Sequence, residues 1–126
     1  MSLQVLNGPT IAAGESLSDA VDCSAGVVVK ITMPAEWAAD EKGAPALLTF
    51  QTSTDGNMFN DIYDDKGNEV TCYVFGASTA ILVRFRVGWV KFRSGTAQQP
   101  VVQQAQRQFA IALDVPEPAA PVRKAK

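Results

Sequence analysis

Histidine is absent from this 126-residue chain. That removes the side chain whose charge changes near neutral pH, the Ser-His and Cys-His nucleophile pairs, and the commonest transition-metal ligand. Most hydrolase mechanisms lose their central group with it. Cysteine is scarce: Cys23 and Cys72 are the only two, too far apart in sequence for a metal knuckle or a C-x-x-C redox motif. They are expected to be buried apolar thiols. The alternative is a disulfide, within the chain or between subunits, which would constrain the unfolded state by roughly 4 kcal/mol.

Long apolar runs are missing too. None approaches the roughly 20 residues that cross a bilayer, so no membrane partner is expected. Residues Met1 to Leu6 carry neither a positive n-region nor an apolar h-region. No secretory signal is therefore expected, and synthesis in a cytoplasm is the simplest route. Eleven Lys and Arg against thirteen Asp and Glu give a formal net charge of −2. Phosphate binding needs clustered cations, so nucleic acid is an unfavoured partner. Gly8, Gly14 and Gly26 show neither P-loop nor dinucleotide spacing, and no cofactor or metal site is expected.

Alternation with period two is the dominant pattern, and it sends successive side chains to opposite faces of a strand. In Val27-Val28-Val29-Lys30-Ile31-Thr32-Met33 it places Val27, Val29, Ile31 and Met33 on one face, with Lys30 and Thr32 on the other. Ile81 to Val87 repeats it with Arg84 and Arg86 outward. Phe109, Ile111 and Leu113 mark a third half-buried strand. Ala46 to Ser53, Met58 to Tyr63, Glu69 to Phe75 and Trp89 to Arg93 are rich in branched and aromatic residues. Further strands are expected near Val5 and over Leu17 to Val21. Asn7-Gly8-Pro9, Ala13-Gly14-Glu15, Thr54-Asp55-Gly56-Asn57 and Asp65-Lys66-Gly67-Asn68 supply turn chemistry between them.

Helix signals are few. Pro34 to Asp40 suits one turn at most before Gly43 and Pro45 stop it, and it is expected to lay Trp37 over one end of the core. The fold class implied is all-β: one antiparallel β-sandwich or jelly roll over residues 1–113, followed by an extended Pro/Ala-rich tail over 114–126.

Two segments stand apart from the strands. Ser94 to Gln106 is a glutamine-rich loop, and long loops in compact domains are often functional. Gln98, Gln99, Val101 and Gln103 are its candidate partner-binding residues. The tail, with Pro116 and Pro118 and a basic tip at Arg123, has extended polyproline-like composition. Arg84 and Arg86 complete the partner-binding candidates. With Lys30, Lys91, Arg93 and Arg107 they define either a basic docking stripe or simply the polar phase of their strands.

Acids remain as the one catalytic possibility. Asp55, Asp61, Asp64, Asp65 and Glu69 include pairs that a glycosidase would require. They sit in turns of a small domain, and no enzyme is expected. The run from Asp64 to Glu69 offers oxygens to calcium but lacks the alternate-position acids of an EF-hand. A solvated hairpin turn is expected there. Trp37, Tyr73, Phe75 and Trp89 form either a sugar-stacking platform or core, with three of the four expected inside.

Two resemblances bear on function. Ser53-Thr54-Asp55-Gly56-Asn57-Met58-Phe59 is similar to the Ser-x-Asp-Gly-x-x-aromatic hairpin of discoidin-like carbohydrate- or lipid-binding β-sandwiches. More broadly, the segments Thr10 to Ser18, Ile31 to Trp37, Leu48 to Gly56, Lys91 to Thr96 and Pro100 to Gln103 resemble small structural proteins of tailed bacteriophages and prophages. That resemblance implies a virion component, such as a head-decoration, collar or neck, or fibre-associated protein. Its expected partners are other virion proteins and further copies of itself. The alternative is a carbohydrate-binding module for host adsorption, using Trp37 or Tyr73.

Overall fold

A computed structural model describes residues 2–116 of the chain. Its nine strands are β1 (Ser2–Ile11), β2 (Val21–Asp22), β3 (Val27–Thr32), β4 (Leu48–Ser53), β5 (Asn60–Asp61), β6 (Thr71–Cys72), β7 (Ala80–Phe85), β8 (Trp89–Ser94) and β9 (Arg107–Val115). They form two antiparallel sheets, as the alternation predicts. One has the order β1-β9-β3-β7, and the other β2-β8-β4-β5 with β6 also paired to β4. The architecture is a β-sandwich.

The inward phase of each sheet supplies the core. Ile11, Val28, Ile31, Phe109, Ile111 and Leu113 come from the first sheet, and Leu48, Phe50, Val90 and Phe92 from the second. Burying such side chains stabilises the fold by roughly 1.5–3 kcal/mol each. Aromatic rings cross between the layers in a connected series: Phe85 to Phe50 at 5.5 Å, Phe50 to Phe92 at 5.3 Å, and Phe92 to Phe109 at 4.9 Å. Edge-to-face packing of this kind adds to burial and fixes the spacing of the sheets. Trp37 ends the series 5.5 Å from Phe109, and its indole N–H donates to the Ala46 carbonyl at 2.9 Å. It closes one end of the core, as expected from sequence.

Several local expectations are corrected. In β3 the buried residues are Val28 and Ile31, with Met33 buried just beyond it, while Val27 and Val29 are half-buried. The pairing shifts between Val28 and Lys30, with one extra residue on β3 against β9 and one extra on β7 against β3, and the phase of β3 reverses upstream of it. Asn7-Gly8-Pro9 does not separate strands. It lies inside β1, where the pairing to β9 shifts between Asn7 and Thr10. Strands expected over Met58 to Tyr63 and Glu69 to Phe75 shrink to two residues each. Leu17 contributes only an isolated bridge to Arg93, and pairing resumes at Val21.

At the C-terminal end, β9 continues through Asp114 and Val115, two residues past the expected start of the tail. Pairing of Val115 with Ser2 and of Asp114 with Val27 draws them into the sheet. Pro116 is exposed just after it. Pro118 and Arg123 lie outside the described residues.

Candidate partner-binding surface

The glutamine-rich loop begins where β8 ends. Gly95, at φ +87°, turns the chain back, and a side chain there would strike the backbone of Gln99, Pro100 and Val101. The tip is closed by backbone bonds from Thr96 N–H to the Gln99 carbonyl at 3.1 Å and from Val101 N–H to the Ser94 carbonyl at 2.8 Å. It is also held from beneath: Thr49 Oγ1 donates to the Gly95 carbonyl at 2.7 Å, and the Ala97 N–H donates to Glu69 Oε1 at 3.0 Å. Gln98, Gln99 and Pro100 are left exposed on a pinned turn, with Val101 half-buried behind them.

Across from this tip, the loop after β3 forms its own closed turn. Asp40 Oδ1 accepts the N–H groups of Lys42 at 2.8 Å and Ala44 at 3.0 Å. Ala39 to Lys42 and Gln98 to Val101 together line a depression of about 660 Å³. Its walls mix amide groups with one cation and two carboxylates, so it suits hydrogen bonding to another protein surface.

Gln103 is not part of that surface, contrary to expectation. It is fully buried. Its Oε1 accepts the Arg107 Nε–H at 2.8 Å and the Ala38 N–H at 3.2 Å, while Nε2 donates to Ser94 Oγ at 2.7 Å. Gln103 ties the two loops together from inside. An amide can do this because it carries donors and an acceptor in one plane.

No protein-family model, curated protein or solved structure matches this chain. Its surface chemistry therefore carries the functional reading.

The basic stripe does not form. Lys91 and Arg93 lie on the outer face of the second sheet, whereas Lys30 and Arg84 point outward from β3 and β7 of the first and Arg86 is exposed just after β7. Arg84 and Arg86 are exposed, as expected, but lie toward the end of the sandwich away from Gln98. Lys91 sits over the Phe59 ring at 4.5 Å. Arg107 bonds Gln103 and reaches Glu36 at 3.4 Å.

Arg93 is buried beneath the excursion that carries β5 and β6. It pairs with Asp61 through Nη2 and with Glu69 through Nη1, the latter at 3.0 Å. The Asp61 carboxyl is held below the usual range chiefly by the Arg93 hydrogen bond. The two nominated acids that converge therefore do so on one guanidinium. Asp55 is committed to its own turn: the N–H groups of Asn57 and Met58, with Ser53 Oγ–H, hold its carboxyl down at about 2. Asp64 closes the hairpin through the N–H groups of Lys66 and Asn68, as the turn composition predicts. Among the described residues, no group of three or more acid or cysteine side chains is placed to hold a metal ion.

Cys23 and Cys72 are both free thiols, so no disulfide joins them within the chain. Burial pushes the Cys23 thiol up to about 11, helped by the neighbouring Asp22 charge. A fully buried Cys23 also offers nothing to a second subunit. Burial raises the half-buried Cys72 as well.

Of the four aromatics, three of them expected inside, two are in solvent. Trp37 and Trp89 are half-buried, but Tyr73 is 84% exposed and Phe75 92% exposed. Val74 between them is buried in the core, while both rings are left in solvent. Sequence reasoning also passed over Leu3 and Val5, which stand in solvent on β1. The signal was present: no charged residue precedes Glu15.

Proposed function

We propose that this chain is a non-catalytic structural protein of a tailed-bacteriophage virion, positioned as a head-decoration, collar or neck, or fibre-associated subunit. It works by docking on other virion proteins, in several copies, and it is made in the host cytoplasm before joining the particle. The observation that carries the reading is the pinned Gln98–Val101 tip beside Ala39–Lys42. Backbone and Glu69 contacts hold that tip in one conformation while its amides stay exposed. A preorganised polar surface binds with less ordering cost than a mobile loop. The resemblance of five segments to phage structural proteins supplies the particle context.

Co-sedimentation with purified phage particles tests it. Replacing Gln98 and Gln99 with Glu is expected to release the protein while leaving its melting transition in place. Retention of the double variant on particles at the wild-type level would remove the tip from the interface. Deleting 117–126 in the same assay asks what the basic end adds. The deletion begins there because Asp114 and Val115 belong to β9.

A carbohydrate-binding role is the second reading, favoured by the exposed pair Tyr73 and Phe75. Trp37 drops out of it, since its ring packs on Phe109 and its N–H is satisfied. Binding on a glycan array that disappears with Tyr73→Ala would favour this reading over the first.

A further inference from the structure

β1 is an edge strand. On one side it pairs with β9, from Ser2 opposite Val115 to Asn7 opposite Ala110, and among the described residues no strand follows on its other side. Ser2 to Val5 are all exposed, which places this half of the strand beyond the core. Leu3 is 67% and Val5 63% exposed, and both stand on the outer face of the first sheet. Val5 lies beside the small Ala112, so no tall neighbour covers it.

The two edges of this sheet are treated differently. β7, at the far edge, projects Arg84 from an exposed position and is followed by Arg86. Cations on an edge discourage pairing with another strand. β1 carries no charge along its ten residues; Thr10 near its end already bonds Asp19 through both backbone groups, so the unguarded edge is the Ser2–Asn7 part. A charged strand gains nothing from such an edge, whereas a neutral apolar one matches it. The chain itself supplies that neutral strand.

Resting on the assembly reading above, we infer that β1 is the docking edge for β1 of a second copy, joined antiparallel about a two-fold axis. With the axis at Gln4, Leu3 of each copy lies opposite Val5 of the other. Ser2 lies opposite Leu6, and Gln4 opposite Gln4. Both exposed apolar side chains are then covered twice by one contact. An axis at Val5 instead sets Leu3 against Asn7, which wastes the apolar match. The two four-stranded sheets become one continuous sheet, and the isologous contact consumes both edges and stops growth. A strand-edge contact of this length falls in the small class of interfaces, so the dimer dissociates on dilution. In an array of many copies the same contact is reinforced by multivalency.

Sedimentation velocity over a dilution series tests this on the full chain. The wild type is expected to pass from dimer to monomer as it is diluted, and Val5→Lys to remain monomeric throughout with an unchanged circular dichroism spectrum and melting temperature. The register is read with Gln4→Cys. It is expected to form a reductant-sensitive dimer on oxidation, because residues opposite each other across an antiparallel pair lie within disulfide reach. Asn7→Cys and the wild type, with Cys23 and Cys72 in place, are expected not to. A wild type that stays monomeric at every concentration, or a Val5→Lys protein that still dimerises, overturns the inference. Dimers that fail to cross-link at Gln4→Cys overturn the register. Particle binding by a monomeric wild type would leave the assembly reading standing while this inference falls, and a dimer that ignores particles would do the reverse.

Discussion

Gln103 and Arg93 are the two long polar side chains that the fold withdraws from water, and each is surrounded by partners. A buried donor or acceptor left unpaired costs about 1–3 kcal/mol, which decides the consequence of removing either. Gln103→Leu fills similar space but strands the Ala38 N–H, the Arg107 Nε–H and the Ser94 hydroxyl. It is expected to lower the urea midpoint by an amount equivalent to about 2 kcal/mol. Gln99→Leu, on the exposed tip, is expected to leave the midpoint unchanged, and equal effects would contradict the assigned roles. The acids give a second prediction at this scale. Asp55 is lowered from 3.8 to about 2, and Asp61 is lowered chiefly by Arg93. A carboxylate depressed by folding stabilises fully above its unfolded value and loses that contribution as pH falls through its folded value. Stability is therefore expected to decline between roughly pH 4 and pH 2. Urea midpoints measured across that window should show a shallower decline for Asp55→Asn, which keeps an acceptor oxygen but cannot ionise.

At the scale of the strands, the approach to β9 just before β3 leaves no room for a side chain. Gly26, just before β3, lies so close to the Asp114 carbonyl that a β-carbon would overlap it. Because the obstacle is backbone within a paired strand, it cannot swing aside as a side chain would. Gly26→Ala is expected to cost about 1–3 kcal/mol through this overlap, seen as a melting temperature lower by several degrees. Gly76→Ala, where a β-carbon meets open space and φ is unrestricted, is the matched control and is expected to melt like the wild type. The bulge in β3 belongs to this scale as well. It lets Val28 face Leu113 and Phe85 in the core while Lys30 still faces outward beside Ala112.

For the whole molecule, the decisive feature is that the last strand of the chain is central. β9 joins β1 to β3, so the first sheet is incomplete until residues 107–115 are in place. Ending the chain at Gln106 removes Phe109, Ile111 and Leu113 from the core and separates its neighbours. Such a truncation is expected to lack a cooperative thermal transition by circular dichroism, whereas a chain ending at Pro116 is expected to keep it. Pairings this distant in sequence make folding slow relative to helical domains of the same length. They also set the molecule's polarity. The loops around Gln98 and Asp40 gather at one end, and the free half of β1 with the close of β9 at the other. The proposed docking tip and the proposed pairing edge are thus at opposite ends of one subunit.

Period-two alternation, Asp-Gly and Lys-Gly turns and the absence of helix signals were enough, read from sequence alone, to determine a β-sandwich and most of its strands, because side-chain phase and turn geometry are local properties. Exposure of Gln98 and Gln99, the cover that Trp37 gives the core and the outward phase of Arg84 and Arg86 followed from the same local rules. Tertiary structure alone decided that Gln103 plugs the interior, that Arg93 gathers Asp61 and Glu69, and that Tyr73 and Phe75 face water while the two cysteines stay apart. Those outcomes depend on which strands become neighbours and which become edges, and that pairing is made between residues far apart in the chain, where no local pattern reaches.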